Sequence, residues 1–340
     1  MKLAIISDSH IGRKQYRTDE NGFNRFEHIG YRALRETTNI ILENNPDLII
    51  NAGDVFDTAN PSILAMKNYH IMQEKFKGIP TMTILGNHDF SFANKNAKCS
   101  AVEMSNHTYF ADYSIKTEII NNILFVMMPY IYTKAENLQK YFNECLDIVK
   151  HSNESKKILV THGITERYHN ESLINDPFLI PDSLVECFDL VIIGHIHTPF
   201  NYKEGKTLVL SPGSMIDYQA PIDRTGPIFL DTDTMRFEKI LVKTPHIIKK
   251  ECTEKDINNI LSNVTEDIYQ IRYTGDTSVI DNDIFIKAKE KAVNLIIDVI
   301  SEDKPEEEKQ ISSIDFWKWL DSNYPDYNDV FKKAREEVSN

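Results

Sequence analysis

A chain of 340 residues that is 41% hydrophobic and 26% charged has the composition of an ordinary globular protein, with room for roughly two or three domains. No run of about eighteen apolar residues occurs, so nothing in it reads as a membrane-spanning helix. The net charge of −13 argues against adhesion to nucleic acid by overall charge, although bound metal ions and local basic patches can dominate one cleft.

The opening MKLAIISDSH has an apolar stretch too short for a secretory signal, and an acid interrupts it. It reads as the first strand of an intracellular, cytoplasmic protein. Further apolar runs follow at 48–50, 82–85, 123–128, 158–160, 190–193 and 208–210. Most are continuous rather than alternating, the pattern of strands covered on both faces. Between them lie amphipathic helices. Phe26, Ile29, Ala33, Leu34, Ile40 and Ile41 recur at three- and four-residue steps. Ile63, Leu64, Ile71, Met72 and Phe76 do so less regularly, and residues 135–149 carry Leu138, Phe142, Cys145 and Val149 on one stripe. The alternation predicts a layered α/β domain.

Gly226-Pro227 introduces another strand at 228–230, and from about Thr244 the sequence turns rich in Lys and Glu. A strand at 268–273, a turn at Gly275-Asp276 and a helix near 284–300 are predicted, giving a small α+β module. Residues 301–310, SEDKPEEEKQ, form a charge-dense linker. Two short helices, 314–320 and 329–338, follow on either side of Tyr324-Pro325. Phe316, Trp317, Trp319 and Leu320 load the first with apolar surface that something must cover. The four cysteines, Cys99, Cys145, Cys187 and Cys252, contain no Cys-x-x-Cys pair. They give neither a disulfide framework nor a structural zinc site.

Five short motifs stand directly after apolar runs. LAIISDSH carries Asp8 and His10, and LIINAGDVFD carries Asp54 and Asp57. TMTILGNHD carries Asn87, His88 and Asp89, ILVTHG carries His162, and LVIIGHIH carries His195 and His197. Loops at the carboxyl ends of neighbouring strands converge on one crevice, so distant residues can meet there. The donors are carboxylate, amide oxygen and imidazole without thiolate, a set suited to Mn²⁺, Fe²⁺ or Zn²⁺. Seven candidate ligands exceed the needs of one tetrahedral ion. With one carboxylate bridging, they would supply two ions about 3.5–4 Å apart. Each motif alone is weak, since Asp-x-His and His-x-His arise by chance and Gly-Asn pairs are usually turns. Their joint order, each after a strand, is the signal.

These residues resemble the calcineurin-like metallophosphoesterase signature, and the variant DSHIG, GDVFD, GNHD and GHIH resembles the SbcD nuclease family. That resemblance implies a four-layer αββα sandwich over residues 1–243, a capping, DNA-binding domain over 244–300 and a partner-binding helical hairpin within 301–340. It implies that Asp8, His10, Asp54 and His197 hold one ion, and that Asp54, Asn87, His162 and His195 hold the other. Mn²⁺ is the favoured ion. His88 is cast as the residue that stabilises the transition state or protonates the departing 3′ oxygen, with Asp89 orienting its ring, while hydroxide from a shared water attacks phosphorus in line. The other reading of His88 is a structural role behind the ligands. Asp57 is read as a hydrogen-bond acceptor behind the ligands. His169 is read as a surface residue, and the segment 211–214 resembles a glycine-serine turn beside the metal site.

The implied activity is that of a DNA exonuclease and endonuclease, a subunit of an SbcCD-like complex, partnered by an SbcC-type coiled-coil ATPase and forming a homodimer. Arg13, Lys14, Arg17 and Arg25, with Lys95 and Lys98, are candidates for holding DNA phosphates; solvated loop charge is the competing reading. Phe316, Trp317, Leu320 and Phe331 are candidates for docking the ATPase, against packing on the chain's own second module. Two other functions stay open: a phosphomonoesterase or cyclic-nucleotide phosphodiesterase on the same scaffold, and a non-enzymatic scaffold subunit. GDVFDTAN lacks the Asp-Arg-Gly of protein phosphatases in this superfamily, and every matched ligand is intact.

Overall fold

The structure, a computed structural model, describes residues 1–15, 18, 22, 24–90, 102, 105, 107–168, 178–215, 225–245 and 247–300. Arg17, Lys95, Lys98, His169, Phe316, Trp317, Leu320 and Phe331 lie outside these residues, as does the whole of 301–340. In chain order the first elements are β1 (Lys2–Ile6), α1 (Arg25–Glu43), β2 (Leu48–Asn51), α2 (Ile63–Lys75), β3 (Thr81–Ile84) and β4 (Tyr109–Ala111). Next come β5 (Lys116–Ile120), β6 (Ile123–Met128), α3 (Ala135–Lys150), β7 (Lys156–His162), β8 (Ile164–Thr165) and β9 (Leu179–Ile180). They are followed by α4 (Asp182–Val185), β10 (Leu190–Gly194), β11 (Phe200–Glu204), β12 (Thr207–Ser211), β13 (Ile228–Asp231) and β14 (Arg236–Lys239). The chain then forms β15 (Ile247–Thr253), α5 (Ile257–Ser262), β16 (Ile268–Thr274), α6 (Asn282–Lys291) and β17 (Asn294–Ile300).

Two six-stranded sheets form the body, in the orders β14-β13-β1-β2-β3-β4 and β11-β12-β10-β7-β6-β5. Alternate residues of the continuous apolar runs explain how they stack. Leu3, Ile5, Leu48, Ile50, Met82 and Ile84 of the first sheet form one buried cluster with Phe125, Met127, Ile158, Val160, Leu190 and Ile192 of the second. The intervening residues face outward. Ala4, Ile6 and Ile49 pack under α1 and α2 through Phe26, Leu34, Ile41 and Tyr69. Leu124, Val126, Leu159, Val191 and Ile193 pack under α3 and α4 through Phe142, Cys145, Leu184 and Val185. Each such side chain, buried on both sides of a sheet, contributes about 1.5–3 kcal/mol of transfer free energy. The result is the expected αββα order of layers.

Helix boundaries follow local chemistry. Asn24 caps α1, its side chain accepting from the Glu27 N–H, and Ser62 caps α2 through the Ala65 N–H. The hairpin between β5 and β6 turns on Asn121 and Asn122, with φ of 50° and 60°. Both are left-handed, as the type I′ turn demands.

The second module adds a strand, β15, and a helix, α5, that were not expected, and it departs from expectation at its end. Instead of a helix near 284–300, α6 ends at Lys291 and residues 294–300 form β17, which pairs in parallel with β16 from Ile268↔Asn294 to Thr274↔Ile300. The run NLIIDVI is apolar and β-branched, so seven parallel pairings outweigh a helical turn. β15, β16 and β17 make a three-stranded sheet, whose inner face packs Tyr269, Ile271 and Tyr273 on Ile257, Leu261 and Ala288.

What matters for the site is the rim. β1, β2 and β3 are parallel neighbours, with Ile6 level with Asn51 and Asn51 level with Thr83. β7 and β10 are parallel as well, with Gly194 level with His162. Five carboxyl ends therefore face one edge of the sandwich.

Candidate metal centre

The loops leaving these strands are forced into unusual backbone. Asp8, His10, Asp54 and His195 have φ of 47°, 40°, 52° and 90°, a region that non-glycine residues seldom occupy. The first two motifs brace each other, with Asp8 N–H donating to Gly53 O at 3.0 Å, His10 N–H to Asp54 O at 3.0 Å and Ile11 N–H to Val55 O at 2.9 Å. The glycines before Asn87 and His195 permit the approach of the other loops. A Cβ on Gly86 would lie 2.5 Å from the Asp54 backbone N, and one on Gly194 would lie 2.7 Å from His162 Nδ1.

All seven predicted donors meet there, in two groups that share one oxygen. In the first, His10 Nε2 lies 3.0 Å from His197 Nε2 and 3.6 Å from Asp54 Oδ2, and His197 Nε2 lies 3.9 Å from Asp8 Oδ1. In the second, Asn87 Oδ1 lies 3.0 Å from His162 Nε2 and 2.9 Å from His195 Nδ1, and His162 Nε2 lies 3.4 Å from Asp54 Oδ2. Separations of this size are the edges of coordination shells whose metal–ligand bonds run about 2.0–2.2 Å. The donor chemistry fits two divalent cations, and Asp54 Oδ2 lies near both groups of donors.

Further contacts fix the donors. Asp54 Oδ1 accepts the His88 N–H at 2.8 Å, which turns Oδ2 toward the imidazoles. Both Asp8 oxygens accept the His195 N–H at 3.0 Å, and Ser7 Oγ donates to Oδ2. His162 Nδ1 lies 2.8 Å from the Ala52 carbonyl; donation there turns Nε2 toward Asn87 and Asp54. Asp57 Oδ1 lies 3.3 Å from His10 Nδ1. Ser214 ties the turn at 211–214 to the site, its Oγ donating to Asp8 O at 3.0 Å and its N–H to His197 O at 2.9 Å.

One predicted contact is corrected. Asp89 does not orient the His88 ring. It is fully buried, and its carboxylate accepts the backbone N–H groups of Gly86 at 2.9 Å, Val55 at 3.1 Å and Phe56 at 3.4 Å. Buried N–H groups at two loop starts need an acceptor more than a half-buried ring does. His88 Nδ1 instead meets the Asp57 carbonyl at 2.9 Å, leaving Nε2 as the other proton-carrying position. Its ring stands edge-on to His10, with centroids 4.6 Å apart.

Sequence reading missed an aromatic wall behind the second group. Tyr130 lies nearly parallel to His195 with centroids 6.4 Å apart, and Tyr132 Oη donates to the Asn87 carbonyl at 3.3 Å. The signal was PYIY, two tyrosines directly after the β6 run.

Charge is distributed unevenly. Burial disfavours the Asp54 carboxylate, but the His162 imidazole beside it wins and holds the group well below the usual carboxylate range. Burial alone would lower His162; Asp54 and Asp8 raise it to about 9. Burial, then the Asp54 charge, push Asp89 up to about 7, against the N–H groups of Gly86 and Phe56. Burial lowers His197 to about 4, with the neighbouring His10 acting the same way and Asp8 opposing.

Of the loop cations, Arg13 Nη1 stands 3.6 Å from Asp57 Oδ1, beside the centre, and Lys14 Nζ stands 3.8 Å from Glu27 Oε2. Arg25 begins α1 and donates to the Ala292 carbonyl at 2.6 Å. No helix among the described residues is long and apolar enough to cross a membrane.

Comparison with known proteins agrees with this geometry. The DNA double-strand break repair protein Mre11 of Methanococcus maripaludis is 26% identical over 235 residues, 64% of this chain and 60% of that protein. The Mre11 of Thermoplasma acidophilum is 24% identical over 291 residues, 78% of this chain and 72% of that one. The probable exonuclease subunit 1 of Escherichia phage T5 is 24% identical over 322 residues, 89% of this chain and 90% of that one. The profile of the calcineurin-like phosphoesterases matches residues 1–199, the stretch that holds all seven donors. Its relatives include two Mre11 double-strand break repair proteins, and the chain belongs to the calcineurin-like phosphoesterase family.

Proposed function

We propose that the protein is a two-metal DNA nuclease, with exonuclease and endonuclease activity, that works as a subunit of an SbcCD-like repair complex. The observation that carries this reading is the pair of donor groups joined at Asp54 Oδ2, 3.6 Å from His10 Nε2 and 3.4 Å from His162 Nε2. Asp8, His10, Asp54 and His197 would hold one divalent ion, and Asp54, Asn87, His162 and His195 the other; the mixed O/N donors suit Mn²⁺, Fe²⁺ or Zn²⁺, and the SbcD resemblance favours Mn²⁺. When bound, such a pair neutralises phosphate charge and lowers the pKa of water at the site.

The chain's own residues do the rest. His88, with Nδ1 at the Asp57 carbonyl, presents Nε2 as the group that gives a proton to the departing oxygen. Asp89 keeps the loops of Asp54 and Asn87 in register through their N–H groups and touches no substrate. Arg13, ion-paired to Asp57, would meet a phosphate next to the scissile one.

The names of the relatives, double-strand break repair proteins and a probable exonuclease subunit, support DNA as substrate. They also support a place in a larger assembly, here with an SbcC-type coiled-coil ATPase. The separate buried cluster around Tyr269, Ile271 and Tyr273 supports a domain division near residue 243. Ile63, Leu64, Met66 and Ile71 are exposed on α2, at 82%, 42%, 37% and 41%, and support a homodimer through that helix. Ile63→Glu should then sediment as a monomer.

The test of the main reading is direct. Purified protein with Mn²⁺ should degrade end-labelled duplex or single-stranded DNA, and Asp54→Asn should not. Hydrolysis of small phosphoesters with intact DNA, in the presence of the ATPase partner, would overturn it.

A further inference from the structure

A groove of about 450 Å³ runs between α1 and the second module. Four cations, Arg25, Arg32, Arg35 and Lys291, face only two carboxylates there, Glu266 and Glu290. In a chain of net charge −13, this is a local reversal of sign. Three of the chain's ten arginines supply it. Their spacing, seven and then three residues, sets all three on one face of α1. The opposite face is buried under the first sheet through Phe26, Ala33, Leu34 and Ile41.

The cations are differently engaged. Arg25 donates to the Ala292 carbonyl at 2.6 Å and anchors the second module. Arg32 Nη1 stands 3.3 Å from Glu266 Oε2, a pair between side chains that are 50% and 70% exposed. Such a pair contributes little and exchanges readily for another anion. His28, Arg32 and Arg35 are all exposed. Guanidinium groups on a rigid helix suit bidentate contact with phosphate oxygens.

Contacts lead from the candidate metal centre to the loop before α1 and to the first turn of that helix. His10 Nδ1 meets Asp57 at 3.3 Å, Asp57 meets Arg13 at 3.6 Å, and Lys14 meets Glu27 in the first turn of α1 at 3.8 Å. From Arg25 to Arg35 the helix advances about 15 Å at about 1.5 Å per residue. One strand of DNA places about four phosphates along that distance, at about 3.4 Å of helix axis each.

We propose that the α1 arginine face and Lys291 form a track for the phosphate backbone of DNA, holding the substrate at the junction of the two modules. The proposal rests on the nuclease reading and adds the path by which substrate outside the active centre is held. Contact is to phosphate, so the track is indifferent to base sequence.

The experiment measures binding, not cleavage. Fluorescein-labelled duplex DNA is titrated with the full chain in EDTA across a range of salt, and the slope of log K against log salt is taken. Arg32→Ala and Arg35→Ala should each reduce the slope by about one and weaken binding about five- to tenfold at 0.1 M salt. Both should melt as the parent does, since both side chains are exposed. Glu266→Gln, which frees Arg32, should tighten binding, a gain that misfolding cannot imitate. Lys140→Ala, on the far helix α3, should leave the slope unchanged. An unaltered slope in Arg32→Ala and Arg35→Ala overturns the track, as does an equal loss at Lys140→Ala; DNA cleavage by the parent would then leave the nuclease reading standing. Parent protein that neither binds nor cuts DNA overturns both.

Discussion

The two sheets contribute to the centre in different currencies. The first sheet, through β1, β2 and β3, delivers Asp8, His10, Asp54 and Asn87, including every carboxylate of the two groups. The second, through β7 and β10, delivers three imidazoles and no charge of fixed sign. The first sheet's loops are bound to one another by backbone hydrogen bonds, as in Ile11 to Val55 at 2.9 Å. The second sheet's donors reach across the seam to them, His195 N–H to Asp8 and His162 to Asp54. One sheet thus holds a preformed anionic socket, and the other completes it only when the apolar seam is packed.

That contrast can be broken most severely at the shared oxygen. Asp54→Asn should abolish DNA cleavage by at least about a thousandfold, since about 4 kcal/mol of metal-dependent stabilisation goes with it, and should lower bound metal at both positions. His195→Ala, on the other sheet, should leave one ion per chain by elemental analysis. Equal metal loss in the two variants would deny that Asp54 is shared.

Next in size is His88. His88→Ala should lower kcat by about 10²–10⁴-fold with metal content unchanged, and a more acidic leaving group should restore much of the rate. Asp89→Asn should behave in the opposite manner. Its amide turns a donor toward N–H groups and destabilises the fold by about 1–3 kcal/mol, seen as a lower Tm, while the folded fraction keeps its activity.

The smallest effect is on pH. In EDTA, His162 at about 9 stands above its unfolded value of 6.5, so its contribution is fully present below about 6.5 and is lost as pH rises through 9. Asp89 at about 7 stands above the ordinary carboxylate value of 3.8, so its contribution fades as pH rises from about 3.8 through 7, in the same sense. The metal-free protein should therefore melt lower at pH 9 than at pH 6. Metal must displace the His162 proton, so apparent Mn²⁺ affinity should climb over the same window, with proton release visible by calorimetry in buffers of different ionisation heat. A Tm that rises between pH 6.5 and 9 in EDTA, above the range in which His197 gains stability, would contradict the assigned His162–Asp54 pairing.

Much of the centre was legible before the structure because a short motif after an apolar run carries its own geometry. Gly86 and Gly194 precede Asn87 and His195 since a side chain there would strike Asp54 or His162. The αββα layers were legible from continuous runs, whose alternate residues serve both faces. The role of Asp89 was not, because the resemblance implied a partnership with His88, whereas the carboxylate is taken up by the N–H groups of Val55, Phe56 and Gly86. Nor was β17 legible: an apolar run of seven residues fits a helix or a strand equally by periodicity, and only its pairing with β16 decides. The α1 groove was missed for a similar reason, since Glu266 and Lys291 are brought to α1 by tertiary packing alone.

The left-handed backbone at Asp8, His10, Asp54 and His195 has a consequence for anyone who would engineer this protein. Glycine adopts those angles freely, so relief of strain favours glycine at these four positions, opposed at Asp8 and Asp54 by the loss of the acceptors of the His195 and His88 N–H groups. Each such gain would delete a metal donor. Thermal robustness and chemistry are therefore set against each other at single residues here, and selection schemes need to demand both at once.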